Sequence, residues 1–311
     1  MKFQRKDVLG LEDMSVEEIR QIMHTAKVMK GILMRPIKKL PTLKGKSVVN
    51  LFYEASTRTR TSFETAAKIL GADTTSIAVA QSSVSKGESL LDTAKTIQAM
   101  RADLVIIRHS SSGSASFLAD ILDAGVINAG DGQHEHPTQA LLDIFTMEEK
   151  LGDLNGKNVV IVGDVLHSRV ARSNAWGLQK LGVNVTLVGP PTLLPPEMEG
   201  LGVKLTHDLD SALPGADVVM ALRLQLERQK SGLFPSLREY SQLYGLTTER
   251  LKKTGKESVI MHPGPMNRGV EISDDVADSV QAVIERQVTN GVAVRMALIY
   301  LLIGGSGNVV A

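Results

Sequence analysis

A short run of hydroxyl and guanidinium side chains is the part of this sequence best suited to chemistry. Ser56, Thr57, Arg58 and Thr59 are followed at once by Arg60. Hydroxyls and arginines beside the N-terminus of a helix form a receptor for a dianion of the size of phosphate, because unpaired N–H groups and the helix dipole act together there. The alternative is an ordinary capped helix whose arginines point into solvent.

The residues around this run predict a strand, a loop and a helix. Ser47–Tyr53 has the pattern of a buried strand, and Thr61–Leu70 has the periodicity of an amphipathic helix that ends at Gly71. The run therefore lies at a strand–loop–helix junction, where the first N–H groups of the helix lack partners. This position favours phosphate binding over the capped helix.

Short apolar strands alternate with helices along the rest of the chain. This alternation predicts an α/β fold with two doubly wound domains, each a parallel sheet flanked by helices. A turn-rich segment after residue 150 marks the boundary, so the domains are predicted as 1–150 and 151–291. A helix is predicted from Ser273 to Gln287, and a last helix at about 292–303 is expected to return to the first domain.

Composition excludes several classes of protein. The chain has 311 residues, 43% of them hydrophobic and 22% charged, which is ordinary for a globular protein. A formal net charge of +1 gives no reason to expect a nucleic-acid or membrane-surface partner. The absence of cysteine excludes thiol catalysis, disulfides and cysteine-bound metals. No apolar run approaches the ~20 residues of a membrane span, and the N-terminus lacks a signal-like apolar core, so a cytoplasmic location is predicted.

Two motifs superficially suggest a cofactor or a metal. Gly163–Asp164 follows a strand, but residues 165–169 contain neither of the further glycines that a dinucleotide turn requires. His134 and His136 are two residues apart, whereas a helical zinc pair needs i, i+4 spacing, and no third ligand cluster is evident. We predict neither a cofactor nor a metal ion.

Further polar side chains follow other predicted strands. His136 and Gln139 flank the predicted start of a helix, and Arg169 lies at the mouth of another. Arg223 directly follows a strand, where it is either a carboxylate-binding fork or part of a surface salt bridge. The turn His262–Pro265 exposes carbonyls that can accept from an amide or amine. With no evident covalent nucleophile, this set predicts direct group transfer between two anionic substrates.

The ordered set of motifs resembles the catalytic chains of the aspartate carbamoyltransferase family from about Leu9 to Ile303. Phe52–Glu64 alone marks only the wider aspartate/ornithine carbamoyltransferase superfamily, whereas the complete order is specific. The other matching segments are Ser85–Ser89, Ile107–His109, Gly130–Gln139, Gly163–Asp164 with Ser168–Arg169, Arg223–Gln225 and His262–Pro265.

The resemblance implies transfer of a carbamoyl group from carbamoyl phosphate to the α-amine of L-aspartate, giving N-carbamoyl-L-aspartate and phosphate in de novo pyrimidine (UMP) biosynthesis. It also implies which residues carry out each part. The catalytic residues are Arg58, Thr59, Lys86, Arg108 and His136. The carbamoyl-phosphate-binding residues are Ser56, Thr57, Arg58, Thr59, Ser82, Lys86, Arg108, His136, Gln139, Pro263 and Gly264. The aspartate-binding residues are Lys86, Arg169, Arg223 and Gln225.

The polar loop Gln81–Ser89 has a special place in the family, where it enters the active site of the neighbouring subunit. The resemblance therefore implies a homotrimer with shared sites, to which Ser82 and Lys86 contribute in the neighbour. Without the resemblance, the loop reads as a mobile surface loop. A larger assembly with regulatory or dihydroorotase chains is left open.

One departure and two rival functions accompany the resemblance. Gly264 stands where many members have leucine, but a carbonyl contact does not depend on the side chain. Ornithine carbamoyltransferases usually carry a His-Cys-Leu-Pro motif, whereas this chain has His262–Pro265 and no cysteine. Ornithine would also need an acidic partner where Arg223 stands. A catalytically silent relative that binds metabolites or scaffolds a complex is disfavoured by the intact Lys86, Arg108 and His136.

Overall fold

The chain divides into two compact units. The computed structural model describes residues 3–78, 88–225 and 236–304. Unit 1 comprises Met1–Leu142 and Thr289–Ala311, and unit 2 comprises Asp143–Val288. The boundary predicted from the sequence follows residue 150, and the two units divide between Leu142 and Asp143, inside the helix Pro137–Leu151.

Unit 1 is built on a four-stranded parallel sheet, which we call sheet A. Its strands are β1 (Ser47–Phe52), β2 (Asp73–Ala78), β3 (Leu104–His109) and β4 (Gly125–Asp131). They lie in the order β2–β1–β3–β4, and every neighbouring pair is parallel. The first five helices are α1 (Val16–Leu33), α2 (Thr57–Leu70), α3 (Leu90–Ala99), α4 (Ser114–Ile121) and α5 (Pro137–Leu151).

Helices cover sheet A because its strands carry apolar side chains on both faces. Val105 and Ile107 of β3 pack in one cluster with Ile97 of α3 and Leu118 of α4. Such strands cannot face water on either side, as is usual for parallel sheets.

Unit 2 contains a five-stranded parallel sheet, sheet B. Its strands are β5 (Asn158–Val162), β6 (Asn184–Val188), β7 (Lys204–Thr206), β8 (Val218–Ala221) and β9 (Val259–Met261), in the order β7–β6–β5–β8–β9. Its helices include α6 (Arg169–Lys180), α7 (Leu209–Ala212), α8 (Leu237–Tyr244), α9 (Thr248–Leu251) and α10 (Asp274–Ala277). The predicted fold class, two parallel sheets each flanked by helices, is confirmed.

The C-terminal helices differ from the prediction. The helix expected from Ser273 to Gln287 is only the short α10, and the last helix, α11 (Ile284–Ile303), begins earlier than residue 292. The interruption arises because residues 281–283 pair beside β9: Ile260 N–H donates to the Gln281 carbonyl, and Val283 N–H donates to the Ile260 carbonyl. Gly291 lies inside α11, where an added Cβ atom would come within 2.6 Å of the Arg295 guanidinium.

Candidate active site

The strand order of sheet A reverses between β1 and β3, since β2 lies outside β1 and β4 lies outside β3. Ligands of open parallel sheets bind outside the carboxyl ends of the strands at such a switch point. The run Ser56–Thr59 follows β1, and Arg108 is one of the last residues of β3. Tyr53 N–H donates to the Arg108 carbonyl over 2.9 Å, so the two strand ends are directly joined. The structure therefore brings these predicted site residues to one crevice.

Helix α2 begins at Thr57 and not at Thr61, so the run forms its first turn. Ser56 is the N-cap residue, and its hydroxyl makes no capping hydrogen bond. The N–H groups of the first helical residues have no acceptor within the helix. Thr59 is buried, and Arg58 is exposed. A hydroxyl that does not cap the helix, N–H groups that have no acceptor within the helix and a guanidinium together suit phosphate.

Arg108 is oriented by groups at the end of the neighbouring strands. Its Nη1 donates to the Ala129 carbonyl over 3.2 Å, and its Nε lies 3.4 Å from Glu54 Oε2. Both side chains of this ion pair are mostly buried, being 14% and 20% exposed. Glu54 belongs to the segment Phe52–Glu64, but the sequence analysis gave it no role. An acidic residue directly before a cluster of arginines and hydroxyls was the available signal.

His136 and Gln139 lie at the start of α5, and both are buried. Pro137 takes the first helical position, so the helix begins between His136 and Gln139 as predicted. The His136 carbonyl accepts the N–H of Gln139 over 2.9 Å, and the His136 Nδ1 lies 3.5 Å from Thr138 Oγ1. The imidazole is therefore held at the carboxyl edge of sheet A by the first turn of a helix.

The loop between β4 and α5 is organised by Asp131, which is 2% exposed. Its carboxylate accepts the N–H of Gly113 over 2.7 Å, the amide of Asn128 over 2.7 Å and the N–H of Glu135 over 3.2 Å. Burial raises the pKa of Asp131, but hydrogen bonds from His134, Asn128 and Gly113 outweigh it, so the pKa lies below its usual value. The hydrogen bond between His134 and Asp131 also raises the pKa of His134.

Glu135 ties this loop to the N-terminal segment. Its two carboxylate oxygens each accept the N–H of Leu11 over 2.9 Å, and Oε1 accepts the N–H of Glu12 over 3.2 Å. Possible ligand atoms of Glu12, His134 and Glu135 lie within 4.8 Å of one another. Because Glu135 is buried and bonded to backbone N–H groups, hydrogen bonding accounts for this cluster without an ion. The absence of a metal site stays a prediction.

Asp131 and Glu135 were missed as supporting residues in the sequence analysis. Both are acidic residues close to Gly130 and Gly132, in the connection between a buried strand and a helix. That placement was visible in the sequence, but the fold brings Gly113 to Asp131 and brings Leu11 and Glu12 to Glu135.

Sheet B has its own switch point, between β5 and β8. Arg169 is the first residue of α6, which follows β5, and it is buried. The Ser168 hydroxyl caps this helix by accepting the N–H of Ala171 over 3.2 Å. Arg223 follows the end of β8 and is half-buried. Two arginines thus flank the crevice where this fold binds ligands.

Side chains join the three loops at the carboxyl edge of sheet B. Gln225 Nε2 donates to the His167 carbonyl over 3.2 Å, and His167 Nδ1 lies 2.9 Å from Asp164 Oδ1. Asn267 Nδ2 donates to the Leu224 carbonyl over 3.2 Å. The loops that follow β5, β8 and β9 are therefore fixed to one another, which places Gln225 beside the loop that leads to α6.

The turn that follows β9 contains Pro263 and Gly264, both half-buried. Gly264 has φ +63°, a left-handed conformation that glycine adopts without strain. Pro263 and Gly264, predicted to contact carbamoyl phosphate, thus belong to unit 2 with Arg169, Arg223 and Gln225.

Burial lowers the pKa of two basic side chains near these sites. In unit 1, burial lowers the pKa of His109, against the effect of Glu54, and the ring packs on Tyr53 with centroids 4.6 Å apart. In unit 2, burial lowers the pKa of Arg172, whereas the charge of Asp164 raises it. Neither group had a role in the sequence analysis.

Two predicted site residues, Ser82 and Lys86, lie outside the described residues. Within the ranges that the structure describes, no helix combines the length and the apolar character needed to cross a membrane.

Comparisons with known proteins agree with this architecture. The carbamoyl-phosphate-binding domain of aspartate/ornithine carbamoyltransferases matches residues 6–149, and their Asp/Orn-binding domain matches residues 155–302. The aspartate carbamoyltransferase catalytic subunit of Desulfitobacterium hafniense is 70% identical over 305 residues, which are 98% of each chain. The corresponding subunit of Moorella thermoacetica is 64% identical over 98% of this chain and 100% of its own.

Solved structures give the same result. The ornithine carbamoyltransferase of Pyrococcus furiosus superposes with a TM-score of 0.87 at 30% identity, over 99% of this chain and 100% of its own. The aspartate transcarbamoylase of Trypanosoma cruzi in complex with N-(phosphonacetyl)-L-aspartic acid superposes with a TM-score of 0.87 at 28% identity, over 95% of each chain. The chain therefore belongs to the aspartate/ornithine carbamoyltransferase family, as its motifs predicted.

Proposed function

We propose that this chain transfers the carbamoyl group of carbamoyl phosphate to the α-amine of L-aspartate, giving N-carbamoyl-L-aspartate and phosphate in de novo pyrimidine biosynthesis. Aspartate carbamoyltransferase catalytic subunits that are 58–70% identical to it support this activity. One observation carries the proposal. Hydrogen-bond donors suited to phosphate lie at the switch point of sheet A, and two arginines lie at the switch point of sheet B.

The phosphate group is assigned to the first turn of α2. Ser56 and Thr57 offer hydroxyls, and Arg58 offers a guanidinium beside the N–H groups of the helix. A phosphate dianion at a helix N-terminus gains from both the hydrogen bonds and the dipole. Ser82 and Lys86 are assigned to the same group by the family resemblance.

The reaction needs donors where negative charge develops. The neutral amine of aspartate attacks the carbonyl carbon, the new C–N bond forms, and the carbonyl oxygen becomes negative. Thr59, Arg108 and His136 are assigned as donors to that oxygen. The C–O bond to phosphate then breaks, and the leaving phosphate takes the amine proton. Gln139 completes the contacts of the carbamoyl group in unit 1.

The carbonyls of Pro263 and Gly264 are assigned to the carbamoyl amide, because a carbonyl accepts N–H groups. L-Aspartate presents two carboxylates, and Arg169 and Arg223 supply one guanidinium for each. Gln225 is assigned to the same substrate, and its link to His167 supports a fixed orientation.

The oligomeric state is part of the same proposal. A homotrimer in which Lys86 reaches the site of the neighbouring subunit follows from the family resemblance, and we retain the cytoplasmic location that the sequence pattern predicts. In a cyclic head-to-tail trimer, each site combines the body of one chain with the loop of the next. The resemblance leaves a larger assembly with regulatory or dihydroorotase chains open.

Ornithine carbamoyltransferase is the nearest alternative, because the enzyme of Pyrococcus furiosus shares the fold. Arg223 disfavours it, since a guanidinium would face the ammonium group of ornithine. A silent relative is the alternative of another class, and turnover by the purified chain separates it from an enzyme.

The deciding experiment supplies the purified chain with carbamoyl phosphate and either L-aspartate or L-ornithine. We expect N-carbamoyl-L-aspartate and phosphate in equal amounts with aspartate, and little product with ornithine. Arg58→Ala is the control, because it should abolish turnover without altering the aspartate residues. Faster reaction with ornithine would overturn the substrate assignment, and no turnover with either would favour the silent relative.

A further inference from the structure

Two ionisable side chains lie behind the turn after β9 and have no part in the reaction proposed above. His262 and Glu271 are each 1% exposed. The His262 Nε2 lies 3.2 Å from Glu271 Oε1, so the two side chains form a buried pair. Buried ionisable groups are expensive to retain unless each has a hydrogen-bonding partner.

The hydrogen bonds of His262 define the position of its ring proton. Gly264 N–H donates to His262 Nδ1 over 2.8 Å. A backbone N–H can only donate, so Nδ1 must be unprotonated and the ring proton must reside on Nε2. Nε2–H then donates to Glu271, whose Oε1 also accepts the N–H of Asn267 over 2.6 Å. The ring is therefore a neutral connector between Glu271 and the turn.

The turn itself has no N–H group left to offer a ligand. Pro263 and Pro265 have none. The N–H of His262 donates to Gln287 Oε1 over 3.0 Å, and the N–H of Gly264 is used by the ring. The N–H and C=O of a trans peptide point in opposite directions. The bond between Gly264 N–H and the ring therefore turns the Pro263 carbonyl away from His262.

We propose that His262, oriented by Glu271, is a positioning residue that directs the Pro263 carbonyl toward the carbamoyl amide. This inference rests on the proposed function, in which that carbonyl accepts from the amide. The ring does not touch the substrate. It acts by fixing one peptide plane, and a misplacement of about 1 Å in such a group lowers the rate by about 10²-fold.

Two substitutions of similar size separate positioning from mere packing. His262→Asn can place an amide oxygen where Nδ1 was, which keeps an acceptor for Gly264 N–H and loses the contact with Glu271. His262→Gln can place an amide N–H where Nε2–H was, which keeps the contact with Glu271 and loses the acceptor. Thermal unfolding of both variants and their affinity for inorganic phosphate serve as controls for folding and for the phosphate site.

We expect His262→Asn to retain kcat within about fivefold of the unmodified protein and His262→Gln to lose about 10²-fold. Both variants should bind phosphate like the unmodified protein. Equal losses of kcat in the two variants, at matched unfolding temperatures, would overturn the proposal. Glu271→Gln should preserve kcat, because Gln Oε1 can still accept from Nε2–H and from Asn267, whereas Glu271→Leu should lower it. Similar kcat values for these two variants would also contradict the proposal.

A further test uses the unmodified protein and therefore does not depend on whether any variant folds. In a protein labelled with ¹⁵N-histidine, the ring whose signals connect to the Gly264 amide should carry its proton on Nε2. A proton on Nδ1 of that ring would overturn the proposal. Failure of the proposed function can be distinguished from failure of this inference, because the unmodified protein would then not carbamoylate aspartate at all.

Discussion

Replacing His136 by alanine removes a buried imidazole at the carboxyl edge of sheet A. If His136 donates to the carbonyl oxygen in the transition state, its loss should lower kcat by about 10²–10³, or roughly 2.7–4 kcal/mol. Binding of carbamoyl phosphate should change much less, because the first turn of α2 still holds the phosphate group.

The surroundings of the ring make this prediction more specific. In a neutral ring whose proton is on Nε2, Nδ1 is free of a proton and can accept a hydrogen bond, and the hydroxyl of Thr138 lies 3.5 Å from it. That distance is at the outer limit of a hydrogen bond. Thr138→Val, which removes the hydroxyl and keeps the shape, should therefore cost about 0.5 kcal/mol, or about twofold in kcat.

The assay is steady-state kinetics with both substrates, together with calorimetric titration of carbamoyl phosphate. His134→Ala is the matched control, since it removes a nearby histidine while Asp131 keeps its bonds from Gly113, Asn128 and Glu135. An unchanged kcat in His136→Ala would refute the assignment. An equal loss in His134→Ala would mean that the loop, and not the imidazole, was responsible.

Four further predictions concern binding, stability and assembly. Arg223→Ala should raise the KM for aspartate by about 10–150-fold, the effect of losing a charged hydrogen bond, and leave the KM for carbamoyl phosphate nearly unchanged; equal changes in the two KM values would contradict the aspartate assignment. Glu135→Ala should lower the free energy of unfolding in urea by about 2–4 kcal/mol, because it leaves backbone N–H groups without acceptors, and Glu135→Gln by less. The raised pKa of His134 should add stability below pH ~6.5 that is lost as the pH rises through the folded-state pKa. The difference from His134→Gln should be below about 1 kcal/mol, since the side chain is 42% exposed, and a difference that grows with pH would have the wrong sign. Arg58→Ala and Lys86→Ala trimers should each be nearly inactive, but dissociation and equal mixing should restore about a quarter of the sites, because about three quarters of random trimers are mixed and each has one intact interface; hybrids confirmed by mass but without activity would exclude a shared site.

Local patterns were sufficient to predict several elements. Helix α5 begins at Pro137, between His136 and Gln139 as predicted, and helix α2 ends at Leu70, directly before the predicted stop at Gly71. In both cases the boundary of the helix is set by the backbone preference of a residue at that boundary, such as Pro137 at the start of α5. The periodicity between such limits depends only on which side chains face the core.

Contacts with distant residues explain where the same reasoning was wrong. The helix predicted up to Gln287 is interrupted because residues 281–283 pair with Ile260, and no local pattern encodes that pairing. The supporting carboxylates Glu54, Asp131 and Glu135 were overlooked for the same reason. Their partners are mostly brought to them by the fold, as when Glu135 accepts the N–H of Leu11.

The sequence by itself determined the family, because the order of its motifs is specific and can be recognised without knowing any tertiary contact. It also determined which residue types follow each strand, since strands and helix starts are signalled by neighbouring residues. Only the tertiary structure decided which strand ends adjoin. Strand order depends on long-range pairing, and that pairing places Arg108 beside the end of β1 and joins Gln225 to the loop after β5. It also decided that His262 is a neutral connector, because the position of its proton follows from the groups that face its two nitrogens.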